Sequence, residues 1–508
     1  MRIFFLFSPT FDDWPLAIAR ELSRRNPATE FMGLVAGKRR IYKKVLDHTH
    51  PAIRPVYDLA ELEKGWLRTP VAEDAIPKYV KLLGDNVLNR IVASSRQLGY
   101  GWVSGAVMAK TELMRRSQDS DNVRRYVVGL LDFLFEMFHR DRPDLVFCYA
   151  VAGEVSYGLG KVCQHLGVPF RQLVHTRIGA KCILDDTPEG LLEPICRTYG
   201  RALKNPVEVE PYLPQAREHL QTFRMRPLQP EYNKTVTKQV ERKKTLLALP
   251  GRMGGVLLAA LKTMARGSQR EWHEPSDWAR SMARFRITLR SLKLKFKSPF
   301  REIGDFPRRS FAFFPLHYDP EASTMVLSPL QANQSGVIEA LAKSLPFGMD
   351  LVLKEHQTMV GLRPAGFYET LQKMPKVILA SPSESPFKLI RRADLVCTIT
   401  GTTAWEAIQL GKPVVVIGEM FPFLCLGQGM VHCPDFPGLP GAIARALNEP
   451  PASTESLELF IASVLSQAFD FPATLYWEKI SREKIEAQAG VLKHFCDRLE
   501  AATNVQSC

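Results

Sequence analysis

The chain lacks the features that would place it across a membrane or on a metal cluster. No window reaches the ~20 uninterrupted apolar residues of a membrane span; the longest candidate, Met253 to Ala265, holds Gly254, Gly255 and Lys262. No cysteine pair is spaced CxxC and no Cys/His set has zinc-site spacing, which argues against a structural metal. The nine cysteines (Cys148, Cys163, Cys182, Cys196, Cys397, Cys425, Cys433, Cys496, Cys508) are scattered, an arrangement that predicts reduced thiols in a cytosol. The apolar run Ile3–Phe7 is too short for a signal peptide, and Asp12 and Asp13 follow without a small-residue cleavage site. There is no internal repeat and no low-complexity tract. What remains, 45% apolar and 24% charged residues over 508, is the composition of a globular protein with room for two to four domains.

The most informative stretch runs from Asp394 to Gly418. Leu395–Ile399 reads as a buried strand, Thr400–Thr403 as a turn, Ala404–Leu410 as a helix, and Val414–Ile417 as a second apolar strand after Gly411-Lys412-Pro413. Such a βαβ unit implies a parallel sheet covered by helices. The turn puts Thr400, Gly401, Thr402 and Thr403 where backbone N–H groups and a helix dipole suit a phosphate. Glu406 follows Thr403 by three residues, the spacing of a capping box and equally of a ribose-binding carboxylate. No Lys-Ser/Thr pair and no GxGxxG occurs in this stretch, so a sugar nucleotide is the ligand it suggests first.

Two more segments follow predicted strands. Pro315-Leu-His-Tyr-Asp-Pro-Glu-Ala-Ser-Thr324 comes after Phe311–Phe314 and offers His317, Tyr318 and Glu321. Lys354-Glu-His-Gln357 comes after Asp350–Leu353, and Lys354 and His356, two apart, face one side. Together with Thr-x-Thr-Gly-Thr-x-x-x-Glu-Ala-x-x-x-Gly-Lys-Pro, these motifs resemble the capsule polysaccharide biosynthesis family, with its Kps-type Kdo transferases, over about residues 311–432. The resemblance implies a CMP-sugar donor held by Lys354 and His356, a Kdo-like sugar, and a lipid-linked acceptor. Gln357 stands where the family's Lys-x-His-Pro motif has proline, and the chain is one module where family members are tandem transferases.

The whole chain alternates strand-like and helix-like runs twice, which predicts a GT-B-like α/β architecture: two Rossmann-like doubly wound domains facing a cleft, a basic helical insertion and C-terminal helices. The expected divisions are 1–205, 206–309, 310–455 and 456–508. In the first domain, Glu154 closes a turn after the strand Asp144–Tyr149; it reads as a base or nucleophile, or as a helix N-terminal carboxylate. Arg177, in His175-Thr-Arg-Ile-Gly179, reads as a clamp for a sugar carboxylate or as a structural ion pair, and Asp186 is the next acidic candidate.

Charge is concentrated. Between Lys234 and Arg309, nineteen Lys/Arg face six Asp/Glu, leaving +13 of the chain's +14. Within it, Met282, Phe285, Leu289, Leu292 and Phe296 recur at helical spacing among Arg280, Arg284, Arg286, Arg290, Lys293, Lys295 and Lys297. This is either a solvated helix packed on the protein or a contact for an anionic membrane or acceptor; the pattern lacks the aromatic stacking expected of nucleic-acid binding. These side chains are expected to lie outside the cleft.

The function expected from all this is transfer of a sugar from a nucleotide-sugar donor to a lipid-linked or polysaccharide acceptor, with no metal and no cofactor. The enzyme would work in the cytoplasm, peripheral to the inner membrane, beside other polysaccharide-assembly proteins. A nucleotide-sugar epimerase on the same fold and a non-catalytic scaffold at the membrane are the alternatives.

Overall fold

A computed structural model describes residues 1–8, 11–84, 86–99, 108–227, 249–266, 274–307, 309–472 and 480–504. Parts of the basic segment, 234–248 and 267–273, lie outside the described residues.

The first sheet holds β1 (Arg2–Phe7), β2 (Glu30–Val35), β3 (Ile53–Asp58), β4 (Leu145–Cys148), β5 (Phe170–His175), β6 (Lys181–Asp185) and the short β13 (Phe469–Asp470), in the order β13-β6-β5-β4-β1-β2-β3. β1, β2, β3, β4 and β5 run parallel, whereas β6 turns back antiparallel on β5 and β13 pairs antiparallel with β6. β1 reads IFFLF without alternation because helices cover both of its faces, and all five residues are buried. The second sheet is wholly parallel. It holds β7 (Phe311–Pro315), β8 (Asp350–Lys354), β9 (Val377–Ala380), β10 (Leu395–Thr398), β11 (Val414–Val416) and β12 (Met430–His432), in the order β12-β11-β10-β7-β8-β9. The chain leaves β7 toward β8 on one side and returns at β10 on the other. The crevice past the carboxyl ends of β7 and β10 is therefore the topological switch point, where open α/β sheets bind ligands. Two such sheets facing one cleft are the GT-B arrangement expected from the sequence.

Packing crosses the boundaries of the four expected segments. Helices α1 (Glu193–Ala202) and α2 (Leu213–Met225) carry Ile195, Tyr199, Ala216 and Leu220 into a core shared with Trp405, Phe460 and Leu457 of the second domain. The tail returns to the first domain, where Phe469, Phe471, Leu492, Phe495 and Leu499 pack with Ile3, Phe5 and Trp14. The insertion is a hairpin of α3 (Leu249–Arg266) and α4 (Asp277–Phe296). α4 is fastened to the loop after β8: Ser291 Oγ donates to the Val360 carbonyl at 3.2 Å and Arg290 to the Arg363 carbonyl at 2.9 Å. Gly361, at φ +85°, allows this approach, since a Cβ there would sit 2.2 Å from Ser291 Oγ.

One expectation fails outright. Cys196 and Cys425, expected as separate thiols, form a disulfide with Cα atoms 5.6 Å apart, joining α1 to the segment after β11. Their 229-residue separation hid the pairing from the sequence. Among the described residues, no helix is long and apolar enough to cross a membrane.

Candidate active site

The loop after β7 is fixed before any ligand enters. The Gln334 side chain takes the His317 backbone N–H at 2.8 Å and donates back to its carbonyl at 3.2 Å. Arg363 donates to the same carbonyl at 2.7 Å. Arg363 is itself held by Glu355 at 2.8 Å, and Glu355 also accepts from the Tyr368 hydroxyl at 2.7 Å. These three side chains form a buried, mutually satisfied network beneath the site. The His317 ring crosses to the turn after β10, where Nε2 accepts the Thr400 backbone N–H at 3.2 Å. Burial, with the nearby Arg363 and His356 charges, pushes the His317 pKa down to about 3. The ring is thus neutral, with its proton assigned to Nδ1 because Nε2 is the acceptor.

In the turn itself, the Gly401 N–H donates to Thr398 Oγ1 at 3.1 Å. A side chain at Gly401 would meet that oxygen at 2.8 Å and His317 Nε2 at 3.2 Å, so the backbone is bare by necessity. Thr402 makes no side-chain capping bond to the short helix α5 (Thr403–Gln409). No capping box involves Glu406 either; its carboxyl lines the cleft. Burial raises its pKa to about 7, against the opposing pull of Arg177.

At the end of β8, Lys354 is pushed down to about 8 by burial, partly offset by Glu355 and Glu384. His356 follows, with Nδ1 2.6 Å from Thr358 Oγ1. Across the cleft, Arg177 sits in the β5–β6 turn at φ +65°, a left-handed conformation that costs a non-glycine residue about 1–3 kcal/mol and is found chiefly where function demands it. Its N–H donates to His175 Nδ1 at 2.9 Å. His175 is pushed to about 3 by burial and by Arg177, so it is neutral and carries its proton on Nε2. Burial raises the Glu321 pKa; Ser323, donating at 3.0 Å, and the charges of Arg177 and Arg96 oppose it.

All ten residues expected to hold a nucleotide sugar (His317, Tyr318, Glu321, Lys354, His356, Thr400, Gly401, Thr402, Thr403 and Glu406) line one cavity of about 870 Å³ between the domains. Arg177 lines it too. Glu154 and Asp186 do not. Glu154 is buried at the first turn of the helix Glu154–Leu166, within reach of the Tyr126 hydroxyl, and Asp186 pairs with Arg197 at 2.9 Å. Its neighbour Asp185 is turned inward, accepting from the Thr187 N–H at 2.9 Å and from Thr187 Oγ1 at 2.6 Å.

The sequence reading missed several wall residues. His175 ends β5, and only its place at the carboxyl end of a strand could have flagged it. Phe421 and Phe423 follow β11 and form an apolar wall beside Phe313. Arg252 of α3 and Arg284, Ile287 and Thr288 of α4 also line the cavity, which corrects the expectation that the basic segment stands clear of the cleft. Among the described residues, no cluster of His, Cys, Asp and Glu could hold a metal.

The site therefore combines an apolar wall, two carboxyls with raised pKa values, and cations from both domains and the insertion. That set suits a flat ring, hydroxyls and phosphate in one ligand.

No protein-family model matches the sequence, and no curated protein matches it. Among solved structures, it is similar to the β-Kdo 2,7 transferase of Thermosulfurimonas dismutans KpsC, at 11% identity over 96% of this chain and 97% of that one, with a TM-score of 0.33. It is similar also to the UDP-GlcNAc 2-epimerase of Neisseria meningitidis bound to UDP-GlcNAc (10% identity, 92% and 99% covered, TM-score 0.23). A third is the glycotransferase of kitacinnamycin (15% identity, 96% and 98% covered, TM-score 0.24). Likenesses this distant decide nothing about activity.

Proposed function

We propose that this protein is a glycosyltransferase of surface-polysaccharide assembly, moving a Kdo-like sugar from a nucleotide donor, CMP-linked, to a lipid-linked or polysaccharide acceptor at the cytoplasmic membrane face. The observation that carries the reading is the meeting of three post-strand loops at the switch point of the second sheet, in one cavity with Arg177. Lys354, His356 and the Thr402 hydroxyl would bind phosphate, and Glu406 the ribose hydroxyls. Phe421 and Phe423 offer the base an apolar face. Arg177, a fork-shaped cation in a strained turn, would hold the carboxylate of an acidic sugar. Among the carboxyls of the cavity, Glu321 would take the proton of an acceptor hydroxyl, a role its raised pKa suits.

Thermal stabilisation by CMP-, UDP- and GDP-sugars, followed by product analysis, tests this. A donor that binds only the folded chain raises its melting temperature by mass action. Transfer releases nucleotide and lengthens an acceptor. An altered sugar still attached to its nucleotide would instead identify an epimerase. No stabilisation by any nucleotide sugar would leave the scaffold reading.

A further inference from the structure

The outer side of the insertion hairpin is apolar. α3 packs chiefly on α4, with Ala259 buried and Arg252 and Val256 half-buried on its inner side. On the opposite side Met253, Leu257, Leu258 and Leu261 are exposed at 60, 65, 54 and 56%. Their spacing of four, one and three residues places them on one helical stripe. Soluble monomers rarely leave so many large side chains contiguous in water. From Leu249 to Arg266 there is no acidic residue; the charged ones are Arg252, Lys262 and Arg266. The surrounding segment carries +13. A second copy of this chain would set that charge against itself, whereas an anionic bilayer offers both negative headgroups and apolar depth. The helix does not qualify as a membrane span, so it would lie flat in the interface.

The same hairpin lines the cavity through Arg252, Arg284 and Thr288. We propose that α3 beds its Met253, Leu257, Leu258 and Leu261 face in the surface of an anionic bilayer, setting the mouth of the cleft where a lipid-linked acceptor is presented. The membrane contact stands on the exposed face and the charge; only the word acceptor rests on the transferase reading.

The test is flotation of the full chain with phosphatidylcholine vesicles and with vesicles containing phosphatidylglycerol, at low and high salt. Wild-type protein is expected to float with the anionic vesicles and to keep part of that binding in high salt, because buried leucine is not screened. L257S/L258S/L261S should lose the salt-resistant part, weakening partition about tenfold or more. Arg286→Gln with Lys293→Gln and Lys295→Gln, all exposed on α4, should lose mainly the salt-sensitive part. Equal flotation of wild type and the serine variant overturns the proposal, as does complete release by salt. It is also overturned if wild type is a dimer that the serine changes convert to a vesicle-indifferent monomer. Donor binding, measured separately by thermal shift, should be unchanged in every variant. Its absence in wild type would refute the transferase reading without touching the membrane contact.

Discussion

His317 Nε2 accepts the backbone N–H of Thr400 at 3.2 Å, and this bond closes the switch point of the second sheet. β7 and β10 pair in the sheet although about eighty residues separate them in sequence, and the loops that follow them are tied by this bond together with the one that Thr400 Oγ1 donates to the Ser323 carbonyl at 2.8 Å. The bond works because burial keeps the ring neutral; an imidazolium would present a proton to the Thr400 donor.

Replacing His317 with alanine should therefore damage the site. Thr400 loses the acceptor of a buried N–H, at about 1–3 kcal/mol, and the turn is left tied to the β7 loop by its Thr400 hydroxyl bond to the Ser323 carbonyl. We expect a lower melting temperature together with loss of nucleotide stabilisation. A variant melting like wild type and binding nucleotide normally would show that the bond fixes nothing.

His356→Ala and Thr402→Val should each weaken donor binding without lowering the melting temperature of the free protein. Loss of one charge-assisted hydrogen bond is worth about 1.5–3 kcal/mol, roughly tenfold to a hundredfold in affinity. Calorimetric titration with the nucleotide that stabilises best measures it. Unchanged affinity in both variants would remove the post-β8 loop and the Thr turn from the donor site.

The second domain was legible because its strands, such as Leu395–Thr398 and Val414–Val416, are short apolar runs with glycine or polar residues at their ends, and the residues after them are where parallel sheets place ligands. β6 was not legible. Lys181-Cys-Ile-Leu-Asp185 is neither apolar throughout nor cleanly alternating, and it is fixed by antiparallel pairing with β5 through the Arg177 turn. β3, Ile53–Asp58, was not legible either, since Arg54 and Pro55 break its apolar run and it is fixed by pairing with β2. Periodicity showed that α4 is amphipathic, but not what its faces meet. That Arg284 turns into the cleft depends on Gly361 and Ser291, a contact between segments seventy residues apart. Glu154 was chosen for its place after β4, and sequence could not show that its carboxyl would be taken into the buried Tyr126 neighbourhood.

Donor binding should have a bell-shaped pH dependence. Lys354 carries its charge below about 8, so phosphate affinity falls as pH rises past that value. Glu406 is ionised above about 7, so ribose hydroxyls lose their best acceptor as pH falls through it. Glu406→Gln should flatten the acid limb and Lys354→Met the alkaline limb, each at the cost of affinity at the optimum. The raised carboxyl has a second consequence, in the protein without ligand. A group whose folded pKa lies above its ordinary 4.5 favours the fold at low pH, and that contribution is lost as pH rises through about 7. The glutamine variant should then melt higher than wild type at pH values above 7, and a profile parallel to wild type would deny Glu406 its buried, charge-averse place.

The assignment of chemistry to the cavity is decided by two carboxylates treated alike. Glu321→Gln keeps the shape and the bond from Ser323 but removes the base, so turnover should fall about 100-fold while donor affinity stays within about threefold. Glu154→Gln lies outside the cavity wall and should leave turnover within about threefold, changing stability through its Tyr126 neighbourhood instead. Arg284→Gln provides the third arm: it lines the cavity from the insertion, so it should raise the acceptor's KM with little change in donor affinity. Steady-state kinetics with donor and acceptor varied separately distinguishes the three. A large loss in the Glu154 variant, with the Glu321 variant near wild type, would return the base to the first domain. The first domain would then have to change its arrangement to bring that carboxyl to the acceptor, because Glu154 does not line the cavity that His175 and Arg177 share.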